Sequence, residues 1–191
     1  MATHEKTEQV KLQIVKATDE LLYHKGYNLM SFSDIADASG IPRGNINYHF
    51  KTKDEVLTSV IEYRLQQMSS MLEEWNNTIS TPLERLKRYA QIPANELENV
   101  IHFGCPIGSL NTELGKTQQE LKDTSRLQFD MFKEWLTQQF KAYIPDKNTD
   151  DLTMHMLVRT QGIAVMSHTY KDQKLVKREV NKIITWLDSL K

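Results

Sequence analysis

The sequence predicts an all-α fold, and three observations lead to that prediction. The 191 residues include only 7 Gly and 5 Pro, which is about half of what average usage would give. Apolar residues recur at steps of three and four along most of the chain, the spacing of one face of a helix. Finally, 39% of the residues are hydrophobic, enough for a chain of this length to bury a core in one or two domains.

The first helix is expected over residues 8–25, where the apolar positions follow helical spacing. Gly26 comes directly after it, at the place where helices commonly end with a left-handed residue. Ser31 and Asp34 then have the three-residue spacing of a helix-capping pair, which predicts that a second, short helix begins there. Gly40 is expected to end that helix after two turns.

A third short helix is expected after the corner at Ile41 and Pro42. It covers residues 43–50, and Ile46 and Phe50 lie four positions apart on one of its faces. Two short helices around a Gly turn form the helix-turn-helix pattern, here over residues 31–50.

The rest of the chain is also expected to be helical. The segments are a long helix from Asp54 through Trp75, one from Pro82 toward Ile101 bent at Pro93, a short one from Pro106 to near Gly115, one from Ser125 to Tyr143, and two last helices over residues 149–170 and 174–190. In the last helix the apolar positions step by four and three, which predicts a seam that packs against another helix. Its residues are Val176, Val180, Ile183, Leu187 and Leu190.

Composition excludes several kinds of protein. The net charge is −1, so the chain does not hold polyanions by bulk positive charge, and nucleic-acid binding would depend on local placement of a few groups. The single cysteine excludes an internal disulfide framework and a zinc site built from several thiolates. No apolar run approaches the roughly 18 residues of a membrane helix, and the charged N-terminus lacks a signal-peptide core, so we expect a cytoplasmic protein without a membrane partner.

The predicted helix over residues 43–50 is unusually rich in hydrogen-bonding side chains. A helix that lies in a DNA major groove needs such groups toward base edges and phosphates. The polar residues are Arg43, Asn45, Asn47, Tyr48 and His49. Gly44 leaves room for a close approach to phosphates, and Lys53 precedes the next helix, whose N-terminus also favours a phosphate. The alternative interpretation is a polar, solvent-exposed helix in an ordinary bundle.

The same region carries a family resemblance. The residues concerned are Gly26-Tyr27, Ser31-Phe32-Ser33-Asp34-Ile35-Ala36, Ser39-Gly40-Ile41-Pro42-Arg43-Gly44 and Asn47-Tyr48-His49-Phe50-Lys51-Thr52-Lys53-Asp54-Glu55-Val56-Leu57. On these residues the sequence resembles the TetR family of transcriptional regulators. Met30 stands where that family often has Thr, and Asn47 where an aromatic residue is common, so the family's base preference does not carry over.

The resemblance implies a two-domain, all-α homodimer. An N-terminal three-helix helix-turn-helix DNA-binding domain is expected over residues 8–68, and a C-terminal helical domain for effector binding and dimerisation over residues 69–191. The residues implied in DNA binding are Ser31, Ser33, Arg43, Gly44, Asn45, Asn47, Tyr48, His49 and Lys53. Dimerisation is expected through the last two helices, and the partner is double-stranded, palindromic operator DNA.

Aromatic and methionine side chains in the second domain are candidates for a small-molecule effector cavity. The candidate effector residues are His102, Phe103, Cys105, Trp75, Tyr89, Phe129, Met131, Trp135, Met166 and Tyr170. Stripes of this kind also occur as plain hydrophobic core. His102 and Cys105 are three apart, but no third ligand lies nearby in sequence, so no metal site and no cofactor are expected.

The position of Cys105 in the sequence favours a reactive thiol. It lies between Gly104 and Pro106, at the expected first turn of a helix, where unpaired amides and the helix dipole stabilise a thiolate. The stretch Gly-Cys-Pro-Ile-Gly-x-Leu resembles a C-terminal subgroup of the TetR family in which a cysteine senses electrophiles or oxidants in some members. Against this, a lone buried cysteine behaves as a small hydrophobe, and the subunit has no second cysteine to resolve a sulfenic acid.

The predicted function is therefore a transcriptional regulator without enzymatic activity, most simply a repressor released from its operator by a small molecule or an electrophile. No catalytic arrangement of Ser, His and Asp, or of paired carboxylates, is recognisable in the sequence. One alternative is a helical small-molecule-binding protein or enzyme that does not bind an operator. A second is a regulator that activates transcription and does not repress it.

Overall fold

A computed structural model of the chain describes the backbone of residues 2–116 and 118–191, and the side chains of residues 5–116, 118 and 120–191. The helices are α1 Ala2–Lys25, α2 Phe32–Ser39, α3 Arg43–His49, α4 Lys53–Thr78, α5 Pro82–Ala90, α6 Ile92–Asn95, α7 Leu97–Phe103, α8 Pro106–Leu114, α9 Gln119–Tyr143, α10 Thr149–Tyr170 and α11 Gln173–Asp188. The residues described include no strand, which confirms the predicted all-α class.

The chain divides into two compact units. The first unit comprises Met1–Gln67 and Ser109–Gln128, and the second comprises Met68–Gly108 and Phe129–Lys191. The predicted division into residues 8–68 and 69–191 does not include this return of the chain to the first unit. The return is explained by burial, because Leu110, Leu114 and Leu121 join the core of the first unit.

The first unit is built from α1 to α3, the beginning of α4 and the segment 109–128. Glycines mark the ends of its first two helices. Gly26 follows α1 at φ +79° and Gly40 ends α2 at φ +67°, a conformation that glycine adopts without a steric penalty. The core cluster then holds the helices together. It consists of Ile14, Val15, Leu22, Tyr27, Met30, Ile35, Ile46, Phe50, Val56, Leu57, Val60, Ile61, Leu110, Leu114 and Leu121.

In the second unit the prediction of one bent helix from Pro82 toward Ile101 is wrong. The segment forms three helices, α5, α6 and α7, separated at Gln91 and Glu96. Pro93 lies in the first turn of the four-residue α6. Because proline has no amide hydrogen and its ring clashes with the preceding turn, the chain restarts a helix there and does not merely bend. Helix α9 begins at Gln119, six residues before the predicted Ser125.

The apolar seam of the last helix packs inside its own subunit, which corrects its expected use in the dimer. Val176, Val180, Ile183 and Leu187 are at most 3% exposed, because they join the core of the second unit. The exposed apolar side chains of this region lie on α10. They are Met154, Val158, Val165, Met166 and Tyr170. In the part of the chain that the structure describes, no helix is long and apolar enough to cross a membrane.

Candidate nucleic-acid interface

Helix α2 begins with the predicted capping pair, and this pair occupies the Ser31 side chain. The Ser31 hydroxyl donates to Asp34 Oδ2 at 2.7 Å and accepts the Asp34 amide at 3.2 Å, while the Ser31 amide donates to the same carboxylate at 2.8 Å. Lys25 Nζ lies 2.7 Å from Asp34 Oδ1. The Lys25 ammonium and the bonds from Ser31 lower the pKa of the Asp34 carboxyl to about 2. Ser33 is exposed in the first turn.

Helix α3 is anchored on one side and exposed on the other. Ile46 is fully buried and the following Phe50 is 5% exposed. The exposed positions are Arg43, Gly44, Asn45, Asn47 and Tyr48. Tyr48 is 75% exposed, and the half-buried His49 ring meets it edge-on at 5.1 Å between centroids.

The polar groups on that exposed side are available for intermolecular bonds. Within the described residues, the side chains of Arg43, Asn45, Asn47 and Tyr48 make no hydrogen bond to the protein. A guanidinium, two amides and a phenol hydroxyl therefore stand on about two turns of helix, all of them groups that bond base edges or phosphates. A Cβ added at Gly44 would meet nothing within 4 Å, so the backbone there is open to a close approach.

The two lysines that follow α3 both bond backbone carbonyls of the protein. Lys53 Nζ donates to the carbonyls of Tyr27 at 2.8 Å and Met30 at 3.2 Å, and it lies 4.1 Å from the centroid of the Tyr27 ring. Lys51 Nζ donates to the carbonyls of Asn47 at 2.8 Å and Tyr48 at 3.3 Å, at the C-terminal end of α3. Each ammonium has three hydrogens, so each lysine keeps one hydrogen for a further acceptor, and the bonds of Lys53 fasten the turn before α2.

Tyr27 is a buried residue of the turn between α1 and α2, and sequence reasoning did not predict its contacts. It is 1% exposed, and its hydroxyl donates to the Asp54 carboxylate at the start of α4. Burial, together with the neighbouring Asp54 carboxylate, raises the pKa of the Tyr27 phenol. The pair Gly26-Tyr27 stands out in the sequence, but only the structure shows that the Lys53 and Asp54 side chains both contact Tyr27.

The candidate effector residues do not gather at one place in the second unit. Trp75, Tyr89 and Trp135 are buried in its core, and the Trp75 and Trp135 rings meet edge-on at 5.8 Å. A groove of about 320 Å³ beside them is lined by Ser69, Leu72, Glu73, Asn76, Met131, Glu134, Trp135 and Gln138. From the candidate set it includes Met131 and Trp135. Met166 and Tyr170 are exposed on α10, His102 is exposed on α7, and Phe103 and Phe129 are half-buried.

Cys105 directly precedes α8, as the sequence predicted. Its half-buried Sγ accepts the amide of Gly108 at 3.4 Å and lies 3.5 Å from the side-chain nitrogen of Gln161. The sulfur thus takes the place of an N-terminal cap, satisfying an amide that the helix leaves unpaired. Among the described residues, no group of three or more His, Cys, Asp or Glu side chains is arranged to hold a metal ion.

Comparison with known proteins places this geometry in context. Residues 14–60 match the model of a family described as bacterial regulatory proteins, tetR family. An HTH-type transcriptional regulator encoded in the lacX 3′ region of Lactococcus lactis is 31% identical over 116 residues, covering 59% of this chain and 58% of that relative. The HTH-type transcriptional repressor DhaR of a Mycobacterium species is 26% identical over 148 residues, 75% of this chain and 70% of DhaR.

Solved structures share the fold over nearly the whole chain. A TetR-family transcriptional regulator from Agrobacterium tumefaciens superposes with a TM-score of 0.84 at 19% identity, covering 94% of this chain and 97% of that one. The reduced form of NemR from Escherichia coli superposes with a TM-score of 0.81 at 12% identity, covering 92% and 95%. The all-α fold, with an N-terminal helix-turn-helix domain and a C-terminal helical domain, is therefore the TetR fold.

Proposed function

We propose that the protein is a TetR-type transcriptional regulator, because residues 14–60 match the model of the tetR family. It represses genes by binding a palindromic operator and releases the operator on meeting a small-molecule effector. It acts in the cytoplasm and carries out no catalytic turnover. The observation that carries the proposal is α3, whose apolar side is buried while its other side presents unbonded polar groups.

The proposed DNA contacts are those of α3 in a major groove. Asn45 and Asn47 face base edges, Arg43 and Lys51 face phosphates, and Tyr48 contacts a phosphate or a thymine methyl. The further proposed contacts are Gly44, His49, Ser33, Ser31 and Lys53. For the last two, the bonds to Asp34 and to the turn carbonyls support a contribution through the positions of α2 and the turn.

A homodimer is part of this proposal, because a palindromic operator requires two copies of α3 related by a two-fold axis. Half-sites one helical turn apart lie roughly 34 Å from each other. The exposed apolar side chains of α10 support dimerisation through this helix, since Val158, Val165 and Tyr170 are each at least 60% exposed and would be covered by the same surface of a second subunit.

The test is selection of DNA by the purified protein from a library of random duplexes. We expect one palindromic sequence to be enriched, and we expect Asn47→Ala and Tyr48→Ala to bind it at least tenfold more weakly. Asn77→Ala, an exposed asparagine on α4, is the matched control and keeps wild-type affinity. Enrichment of no sequence would favour the alternative, a helical small-molecule-binding protein or enzyme without an operator.

Cys105 supports an electrophile as one class of effector. The sulfur stands at the start of α8, where the Gly108 amide lies 3.4 Å and the Gln161 side-chain nitrogen 3.5 Å from it. Conjugate addition of the Cys105 thiol to a ring carbon of a quinone forms a C–S bond, and the thiol's proton goes to one carbonyl oxygen. The hydrogen of the attacked ring carbon then moves to the second carbonyl oxygen, which leaves a hydroquinone thioether. We expect benzoquinone to add one equivalent to the protein by mass spectrometry and to release the selected duplex. Cys105→Ser should stay bound to DNA, and equal release from this variant would exclude Cys105 as the sensor.

A further inference from the structure

The carboxylate of Glu113, in α8, binds the turn between α1 and α2. Glu113 Oε2 accepts the amide of Tyr27 at 2.9 Å, and Oε1 accepts the amide of Asn28 at 2.7 Å. The two amides are consecutive, and each takes a separate oxygen. Bonds from backbone amides to a carboxylate are charge-assisted and stronger than bonds between neutral groups. One side chain, more than 80 positions away in sequence, thus satisfies two amides of this turn.

The same turn is held from its carbonyl side by Lys53. Its ammonium bonds the carbonyls of Tyr27 and Met30, so the amides and the carbonyls of the turn are each bound by an opposite charge. Gly26 completes the arrangement: it has φ +79°, and a Cβ added there would lie 3.1 and 3.3 Å from the two Glu113 oxygens. The turn leads directly into Ser31, which caps α2.

We infer that Glu113 is a positioning residue for DNA binding: it holds the α1–α2 turn, and through the start of α2 it fixes the orientation of α3. The inference rests on the proposed DNA-binding function.

Glutamine cannot replace this carboxylate. Its amide keeps one acceptor oxygen, but the NH₂ group faces the second backbone amide, donor against donor. Glu113→Gln therefore releases at least one of the two amides without changing side-chain size. Glu120→Gln, at an exposed glutamate of the same unit, makes the same chemical change away from the turn.

The experiment combines amide hydrogen exchange with DNA affinity on the full chain. In Glu113→Gln we expect exchange at Tyr27 and Asn28, followed by NMR, to accelerate at least tenfold. Affinity for the duplex that the wild type selects from a random library should fall by about 5- to 20-fold. Glu120→Gln should leave both quantities unchanged.

The variant Ile14→Val distinguishes a purely structural role of Glu113 from a positioning role, because it removes a methylene from the core of the first unit without touching the turn. If this variant matches Glu113→Gln in stability loss and also in affinity loss, Glu113 has no positioning role. If hydrogen exchange at Tyr27 and Asn28 is unchanged in Glu113→Gln, the carboxylate does not hold the turn. If exchange is faster but DNA affinity is unchanged, Glu113 does not position α3 for DNA binding. If the wild type selects no duplex, the proposed function is wrong, while the exchange data still show whether Glu113 holds the turn.

Discussion

At the scale of single residues, Asp34 joins local structure to electrostatics. Its carboxylate caps α2, binds Ser31 through two groups and pairs with Lys25 at 2.7 Å. These partners all favour the ionised form, which explains why the pKa of Asp34 falls from 3.8 to about 2. A carboxylate near a helix N-terminus is also favoured by the helix dipole.

Asp34 therefore predicts a defined pH dependence. Since the folded-state pKa lies below the unfolded value, the stabilisation from Asp34 is present above about pH 4 and is lost as the pH falls through about 2. We expect Asp34→Asn to lower the free energy of unfolding at pH 6 and to approach the wild type near pH 2, measured by urea unfolding. Asp37→Asn, on the same helix, is the control; a difference that stays constant with pH would contradict the assignment.

The exposed side of α3 could be predicted from the sequence, whereas the contacts of the flanking residues could not. Arg43, Asn45 and Asn47 are exposed, as an anchored helix with Ile46 on its inner side requires. The bonds of Lys53 to the α1–α2 turn, and of Glu113 to the same turn, could not be predicted. They join residues far apart in sequence, and charged side chains carry no periodic pattern that indicates such partners.

At the scale of elements, α3 depends on its surroundings. It has seven residues and no side-chain cap at its N-terminus, and isolated helices of this length are not stable in water. Burial of Ile46 and Phe50 therefore holds the helix, and its exposed positions are left for function. Gly44 is one of them, and it is a poor helix former in a helix with few stabilising bonds.

The variant Gly44→Ala is expected to change the free energy of unfolding and the affinity for DNA in opposite directions. Because a Cβ there meets nothing within 4 Å, we expect the free energy of unfolding to rise by about 0.5–1 kcal/mol. Affinity for the selected duplex should fall, since the methyl group stands where the backbone would approach DNA. Ser70→Ala, at an exposed position of α4, is the control for a helix-stabilising change elsewhere. A Gly44→Ala protein that is more stable and binds DNA unchanged would show that Gly44 is not in the interface.

Element prediction succeeded where caps and glycines mark the ends of helices. Thr81 caps α5 through the Glu84 amide at 3.3 Å, and Thr52 bonds the Glu55 amide at 3.1 Å. It failed between Ala90 and Leu97, because periodicity alone does not distinguish a bent helix from consecutive short ones. The return of residues 109–128 to the first unit was also missed, since apolar spacing shows that a face is buried but not against which core.

For the whole molecule, the proposed binding to a palindromic operator requires a dimer. We expect Val158→Glu to convert it to monomers at micromolar concentration and to lower operator affinity at least tenfold, measured by sedimentation velocity and by fluorescence anisotropy. A glutamate in a covered apolar surface is left desolvated without a partner. Leu127→Glu, at an exposed leucine of the first unit, is the control. Dimers that persist in Val158→Glu would move the interface away from this side of α10.

The charge balance of the whole molecule bears on the proposed DNA binding. Residues 1–53 contain 7 Lys and Arg against 6 Asp and Glu, so even the end that carries the proposed DNA contacts is barely basic. Affinity must therefore come from a few placed groups used twice, once in each subunit. With Arg43 and Lys51 neutralising phosphates in both subunits, the logarithm of affinity should fall with the logarithm of salt concentration with a slope of about −4.

The salt dependence of binding to the selected duplex therefore shows whether a few placed groups of α3 carry the affinity. Fluorescence anisotropy between 50 and 300 mM KCl, compared with a scrambled duplex of equal length, measures the slope and the specificity together. We expect a slope of about −4 and an affinity for the selected duplex at least 10³-fold above that for the scrambled one. Equal affinity for both duplexes, or a slope near −10, would show that binding does not rest on the placed groups of α3.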